Sequence, residues 1–533
     1  MTPSLRRQAY IAFFFFILLA IGCGTAHYKE SADKEVYGII ADKSASIEGM
    51  PSTFTIEPGQ DRIPELQTTT APMLLSLADS LEIAVKNSRR YQSQKESLYS
   101  QGLSLSLARD KFEPIFSGSS STEVERSAHR NSVSEILSFG VTKMLETGAD
   151  LSVSITTNLF RYLSGDPAKT AASAITASFV QPLLRGAGRQ VALENLTQEE
   201  RDMVYAIRDF VRFRKTFSVN IAKSYYNILQ QKDQVANAWN NYRNLEMERK
   251  RAEFMAQAGR LPEFQVDQTK QDELRAWDRW IRAKATYENS LDAFKLDLGM
   301  PTDTAIELDP SEMASLVSQG IVPPRVTLED ATAAALENRL DLKNESDRAE
   351  DAGRKVVVAA NALKPQLDVT SSAVVETEGD TKPFDFDFDN ATYSAGLEVK
   401  LPLERTLERN VYRQALINQE AAERDLVQSI DEVKLDVRSV LRNLAQAEQS
   451  YSIQSNSLKL AEQRVESTSL LQQAGRASTR DVLEAREALL EAQNQVSRAL
   501  VDHFNARLDL FLAMERLRIN DKGLWIEEDD IRP

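Results

Sequence analysis

Ala474-Gly475-Arg476-Ala477-Ser478-Thr479-Arg480-Asp481-Val482-Leu483-Glu484-Ala485 is the point at which one very long helical pattern stops and a second one starts. Gly475 supplies the turn. Beyond it, Ala485, Ala492, Ala499, Ala506 and Ala513 recur at strict seven-residue steps, flanked by Val482, Leu489, Val496 and Leu510. Ahead of it, Ile430, Val437, Leu444, Tyr451, Leu458 and Val465 also recur every seven residues. Val433, Val440, Ala447 and Ala461 fill the companion seam, which Gln454 interrupts. A sustained heptad imposes coiled-coil geometry, and an alanine seam lets helix backbones approach closely. A helix of roughly 65 residues would be about 100 Å long at 1.5 Å per residue.

This hairpin has an earlier counterpart. Ala258-Gly259-Arg260 matches Ala474-Gly475-Arg476, and Ile207, Ile221, Ile228, Val235 and Tyr242 repeat the helical theme, broken by Arg214. The correspondence extends further back. Leu77, Ala84, Asn87, Ala108 and Pro114 recur as Leu328, Ala335, Asn338, Ala359 and Pro365, and Gln181-Pro182-Leu183 is answered by Leu401-Pro402-Leu403. The period is far longer than a solenoid unit. One large block, running helix, strands, very long helix, turn and helix, was therefore built twice in tandem.

The strands are clearest in the second copy. After a helix from about Val326 to Ala362, ended by Pro365, Leu367, Val369, Ser371, Ala373 and Val375 share one face. In the next strand Tyr393, Ala395, Leu397, Val399 and Leu401 oppose Ser394, Gly396, Glu398 and Lys400. Lipid on one side and water on the other would produce this alternation, and so would a soluble sandwich over a core. The acidic stretch Glu376 to Asn390 between them reads as an exposed loop. The first copy has matching strands near Ile115–Glu125 and Ala172–Val180. It also carries additional residues in which Leu151, Val153, Ile155, Thr157 and Leu159 alternate with Ser152, Ser154, Thr156 and Asn158 after a turn at Thr147-Gly148. These predict an extra hairpin, either inside the main sheet or apart from it.

Composition narrows the function. The chain of 533 residues has 27% charged residues and a net charge of −15, which argues against a nucleic-acid partner needing a basic face. His27, His129 and His503 are isolated and Cys23 is the only cysteine, so disulfides and Cys/His metal sites are excluded. No phosphate loop, nucleophile elbow or zinc-binding helix is present. The sequence points to no enzyme and to no cofactor.

Arg6-Arg7 followed by apolar Tyr10 to Ile21 reads as a processing segment, too short to span a bilayer. Leu19-Ala20-Ile21-Gly22-Cys23 resembles a bacterial lipoprotein box, which makes Cys23 the acylation site and 1–22 the signal peptide. Gly24 is not the aspartate associated with inner-membrane retention, so the outer membrane is favoured. A multiply acylated cysteine anchors firmly, at about 0.8 kcal/mol per buried methylene. Residues 23–70, with Pro51, Pro58 and Pro64 and no sustained period, read as a flexible or surface-hugging tether. The first repeat then occupies 71–325, the second 326–517 and a tail 518–533. No later segment approaches a transmembrane helix, so any bilayer crossing falls to strands.

The fold class that follows is mainly α with membrane β: a duplicated protomer of coiled-coil helices plus about four barrel strands. Four strands cannot close a barrel, and an open edge cannot sit in lipid. Several copies in a ring would close it, and the same symmetry would ring the helices into a water-filled conduit.

The chain resembles the TolC-like outer-membrane channel (outer-membrane efflux protein) family from about Leu75 to Leu517. The resemblance is carried by Leu77-x-x-x-Leu81-x-x-Ala84, by Phe112-Glu113-Pro114 and by Gln181-Pro182-Leu183-Leu184-Arg185-Gly186. Its most specific part is Gly475-x5-Asp481-Val482-Leu483-x-Ala485. It implies a homotrimer with a shared twelve-stranded barrel in outer-membrane lipid and an α-helical barrel in the periplasm. It also implies docking of a periplasmic adaptor (membrane fusion) protein and an inner-membrane transporter.

The turns Ala258–Phe264 and Ala474–Arg480 would then form the periplasmic tip, with Gly259, Arg260, Leu261, Gly475, Arg476 and Ser478 meeting the adaptor. Asp481 and Glu484 share one helix face. Threefold symmetry would make them carboxylate rings that favour cations at an iris-like gate. The alternative is that both are solvated and paired with Arg480 or Arg486. Gln265 stands where the first repeat would need Asp481, and Pro262 is unusual in that turn. Two rival readings remain at this point: a lipid-anchored periplasmic adaptor, which normally has one hairpin, and a structural coiled coil, which needs no two-faced strands.

Overall fold

Both copies of the repeat open with the same local chemistry. The computed structural model describes residues 24–57, 72–126, 131–164, 169–379 and 381–526. In chain order these form α1 (Thr25–Ser44), β1 (Met73–Leu75), α2 (Leu77–Asn87), α3 (Arg89–Asp110) and β2 (Ile115–Arg126). Next come β3 (Asn131–Met144), β4 (Asp150–Ser164), β5 (Lys169–Pro182), the short α4 (Arg189–Ala192), α5 (Glu194–Gln257) and α6 (Glu263–Asp297). Then follow β6 (Ile306–Leu308), α7 (Pro310–Gln319), α8 (Leu328–Asn338), α9 (Leu340–Ala362), β7 (Gln366–Glu376) and β8 (Thr392–Lys400). The chain continues with α10 (Thr406–Gln473), α11 (Thr479–Ala513), β9 (Arg518–Ile519) and β10 (Trp525–Ile526).

At the head of α2 the Ser76 hydroxyl accepts the Asp79 N–H at 3.1 Å, and the Asp79 carboxylate accepts the Ser76 N–H at 3.2 Å. Thr327 caps α8 in the same position, accepting the Asp330 N–H at 3.1 Å. Such caps satisfy donors that a helix start leaves orphaned. Both capped helices then break. Ser88 (φ −60, ψ 125) and Arg339 (φ −59, ψ 120) leave the helical region at equivalent places, so Val326 to Ala362 is two helices and not the single one its composition predicts. The buried Arg339 guanidinium donates to Asp341 at 2.8 Å and to Asp436 at 2.7 Å, which ties the break in place.

The described chain divides into two compact units, 24–47 with 97–207 and 345–425, and 48–96 with 208–344 and 426–526. The first unit holds one six-stranded antiparallel sheet in the order β2-β3-β4-β5-β7-β8. It holds the four expected strands, β2, β5, β7 and β8, and two more. The extra hairpin is β3–β4, and it is inserted in the main sheet between β2 and β5. Strand alternation could not reveal this, because it fixes which face a residue takes and not which strand lies alongside.

Below the sheet in this unit, Asp351 is 3% exposed and fully engaged. It accepts the Tyr205 hydroxyl at 2.7 Å, Arg201 at 2.5 Å, Arg354 at 2.6 Å and Gln198 at 3.1 Å. Burial works to raise its pKa, but the hydrogen bonds from Tyr205, Arg354 and Gln198 and the Arg201 charge prevail and hold it low.

α1 also belongs to this unit and gives residues 25–44 of the tether a helical form laid against the body. Val36, Ile39 and Ile40 are buried, and Val36 lies against Gly102, where a Cβ would come within 2.6 Å of its methyl. Tyr99 donates to Asp33 at 2.7 Å and Ser106 to Glu35 at 2.6 Å. A stripe of three apolar residues was too short to stand out as a period. The later tether residues 58–71 lie outside the described residues.

In the second unit, Ala331, Ala334 and Ala335 of α8 pack with Val433, Val437 and Leu444 of α10 and with Ala506 and Leu510 of α11. Every member of the alanine seam, from Ala485 to Ala513, is buried. Arg214, which broke the heptad of α5, is 3% exposed. Its guanidinium donates to the Tyr91 hydroxyl at 3.1 Å, to the Asn520 carbonyl at 3.0 Å and to the Gly49 carbonyl. The interruption of the pattern is thus a clamp on the segments that flank the core. β1 and β6 pair in parallel, and Tyr225 donates to the Leu75 carbonyl at 2.9 Å beside them.

Candidate functional site

Two regions carry chemistry beyond packing: the helical turns of the second unit and the faces of the sheet in the first. The turns share one backbone design. Gly259 and Gly475 both have φ +69, a left-handed conformation that costs glycine little. The following Arg260 and Arg476 N–H groups reach back to the carbonyls of Met255 and Leu471, each at 2.8 Å. This pattern closes a helix C-terminus and satisfies its last carbonyls.

The turns diverge at the next helix start. Ser478 caps α11, donating from its hydroxyl to Asp481 at 2.7 Å and from its N–H at 2.8 Å, while accepting the Asp481 N–H at 3.3 Å. The Ser478 hydroxyl and N–H hold the Asp481 carboxyl below its ordinary pKa. Pro262 holds the equivalent place before α6 and gives no side-chain cap.

Asp481 and Glu484 are exposed on one face of α11, as their spacing predicts, and each has a local partner. Glu484 accepts Arg480 at 2.8 Å, whereas Arg486 is engaged by Glu248 at 3.2 Å. Of the two arginines that could offset the pair, Arg480 is the one that does. The capping role of Asp481 was legible in Ser478-x-x-Asp481, a spacing that signals a helix start.

Further packing joins the two hairpins within this unit. Leu245, Ala276 and Leu483 form a small buried cluster with Tyr242 against it, Asn237 donates to Asn494 at 3.1 Å, and Arg251 donates to Gln472 at 3.5 Å. Beside the first turn, a groove of about 500 Å³ is floored by Met247, Phe254 and Met255 and rimmed by Lys250, Arg251 and Arg260. Sequence reasoning named Arg260 but missed the rest. Phe254 is 70% exposed, an unusual position for a large aromatic side chain without a partner.

The sheet is two-faced across all six strands. One row of directly paired residues reads Phe116, Val141, Val153, Ala177, Ala373 and Tyr393. Another reads Phe139, Ile155, Ile175 and Val375. On the opposite face a row of hydroxyls reads Thr142, Ser152, Ser178, Ser372 and Ser394. Ser152 and Ser178 lie 2.6 Å apart, Ser372 and Ser394 2.7 Å, and Ser138 and Thr156 3.3 Å. Glu398 and Lys400 share that polar face at its β8 end and pair at 2.9 Å. The apolar face is no core: Phe116 and Tyr393 are 81% and 77% exposed.

Among the described residues, no helix is long and apolar enough to cross a membrane, and no group of histidine, cysteine, aspartate and glutamate could hold a metal. Cys23 and His129 lie outside the described residues.

Residues 332–514 match the model of the outer membrane efflux protein family. No curated protein matches the chain by sequence. Solved structures match over most of its length at low identity. The outer membrane protein VceC of Vibrio cholerae aligns at 17% identity and TM-score 0.62, over 82% of this chain and 95% of that one. The CmeC outer membrane channel of Campylobacter jejuni aligns at 15% and 0.60, over 85% and 87%. The open state of the MtrE outer membrane channel of Neisseria gonorrhoeae aligns at 13% and 0.58, over 82% and 88%. Residues 332–514 thus resemble an outer membrane efflux protein domain, and the chain as a whole has the fold of these outer-membrane protein structures.

Proposed function

We propose that the protein is an outer-membrane channel through which solutes or proteins leave the periplasm, working as a trimer with a periplasmic adaptor and an energised inner-membrane transporter. It acts by conduction and not by catalysis. The observation that carries this reading is the sheet. An exposed apolar face backed by a ladder of hydroxyls suits lipid outside and water inside, and it belongs to the same chain as two long helical hairpins.

Self-association accounts for apolar side chains the single chain leaves uncovered. Leu274, Trp277 and Ile281 form a stripe on α6, and Ile453 and Leu460 lie seven residues apart on α10, all exposed. Acylation of Cys23 would hold the chain at the membrane. The groove of Met247, Phe254 and Arg260 beside the first turn, together with Gly475, Arg476 and Ser478, offers an adaptor an apolar floor with a cationic rim.

In a trimer, Asp481 and Glu484 would form rings of carboxylate at the tip, and adaptor binding would favour an untwisted, open arrangement. Reconstitution in planar bilayers tests the channel. Discrete cation-favouring conductance from a heat-resistant trimer is expected; a monomer without conductance would overturn the assignment. For the gate, the Asp481→Asn/Glu484→Gln double variant is expected to lose cation preference and rectification, and unchanged selectivity would remove these residues from that role.

A further inference from the structure

The hairpin β3–β4, which the second repeat lacks, bears on the size of the pore. We infer that all six strands of each chain cross the membrane, and that the barrel closes by pairing β8 of one copy with β2 of the next. Three chains of six strands then make eighteen, where the resemblance implied twelve. The inference rests on the channel reading above and adds to it the composition of the wall.

Three observations support it. The first is length. The six strands have 12, 14, 15, 14, 11 and 9 residues, and a tilted transmembrane strand needs about 9–11. The hairpin strands are therefore no shorter than their neighbours.

The second is the pattern of faces. Phe139, Val141, Val153 and Ile155 of the hairpin stand in the same rows as Ile175, Ala177, Ala373 and Val375, and Ser138 and Thr156 lie on the hydroxyl side. A flap outside the bilayer has no reason to keep the lipid side apolar in register with the rest.

The third is the state of the edges. Every residue of β2 and of β8 is exposed, while the strands between them are largely half-buried. Each strand runs antiparallel to the one before it, so the two edge strands run opposite to each other. Placing β8 beside β2 of the next copy continues the alternation without a parallel seam. Bare edges cannot remain in hydrocarbon, and a second copy of this chain covers both at once. Barrel diameter grows roughly in proportion to strand number, so the lumen is about one and a half times as wide as that of twelve strands, in the range that leaves an open aqueous channel.

Cysteine labelling in proteoliposomes with a membrane-impermeant maleimide tests the assignment. The Ser138→Cys and Thr156→Cys variants are expected to label, and the Phe139→Cys and Ile155→Cys variants to lose labelling until detergent is added. Ser394→Cys and Leu397→Cys on β8 serve as the reference pair. If both faces of the hairpin label equally while the β8 pair still differs, the hairpin lies outside the barrel and the inference fails with the channel reading intact. If Leu397→Cys labels as readily as Ser394→Cys, the sheet is not in the membrane and the channel reading itself fails. A cysteine at Ser119, combined in turn with one at each position from Tyr393 to Val399, is expected to yield a covalent trimer at one register. No cross-link at any register would overturn the β8–β2 closure.

Discussion

α6 and α11 are both 35 residues long and both leave a glycine turn of the same geometry, yet their burial differs along almost their whole length. Counted from the turn glycines, Leu274 of α6 and Leu490 of α11 occupy the same position. Leu274 is 61% exposed and Leu490 is 6% exposed. α11 buries the alanine seam from Ala485 to Ala513, whereas α6 buries Val266, Thr269 and Ala276 near its turn and Phe294 and Lys295 at its far end. Duplication copied the turn because local hydrogen bonds and a left-handed glycine specify it completely. Burial is set by whatever lies alongside, and in the middle of α6 the described residues leave Leu274, Trp277 and Ile281 exposed. That difference separates a helix packed inside one chain from a helix suited to packing between chains.

The matched leucines offer the sharpest way to break the comparison. Leu490→Ala should destabilise the isolated chain by about 2–5 kcal/mol, the usual result of emptying a buried leucine site. Leu274→Ala should stay within about 0.5 kcal/mol, as surface changes do, while weakening the trimer. Denaturant unfolding of the monomer and the heat resistance of the oligomer read the two effects separately. Equal losses of monomer stability would erase the distinction.

The caps give a second, smaller contrast. Ser478→Ala removes the hydroxyl half of the box and should cost about 1 kcal/mol. In the first turn, Pro262→Ser should supply the missing hydroxyl cap, with Gln265 placed to complete a box, and slow amide exchange in the first turn of α6; adding Gln265→Asp should slow it further through a charged acceptor. Exchange measured by mass spectrometry on peptides spanning each turn decides it.

The smallest effect is pH-dependent. Asp481 has a lowered pKa in the folded state, so its contribution is complete above the ordinary carboxylate value near 4 and is lost as pH falls through the lowered value. The start of α11 should therefore loosen below about pH 4 while the start of α6 shows no matching transition. Asp481→Asn should abolish that difference. The same acid loosening at both turns would detach it from Asp481.

What was legible in the sequence was whatever repeats or alternates. The heptads of α10, the alanine seam of α11 and the two faces of β7 and β8 could all be read because periodicity is a property of the sequence itself. What stayed hidden depended on partners. The order of strands placed β3–β4 inside the sheet, yet no residue in the hairpin names β2 or β5. The breaks at Ser88 and Arg339 lie in runs whose composition favours helix, and an ion pair from Arg339 to Asp436 across 97 positions holds one of them. The groove at Met247 and Phe254 needed a surface to be visible. The capping role of Asp481 was written in its spacing from Ser478, which bonds its carboxylate and its N–H.

Arg214 ties together parts of the chain that are made at very different times. Its guanidinium takes carbonyls from Gly49 and Asn520, and near it Ser52 donates to Asp521 at 2.5 Å while Lys522 meets Glu82 at 3.0 Å. A chain that stops before Asn520 keeps Tyr91 and Gly49 beside that charge but lacks the carbonyl that completes the set. A buried cation missing part of its shell is costly. The latch therefore acts as a check on completeness: a chain that stops before Asn520 retains an unmet charge in its core and exposes itself to proteolysis before it can join an assembly.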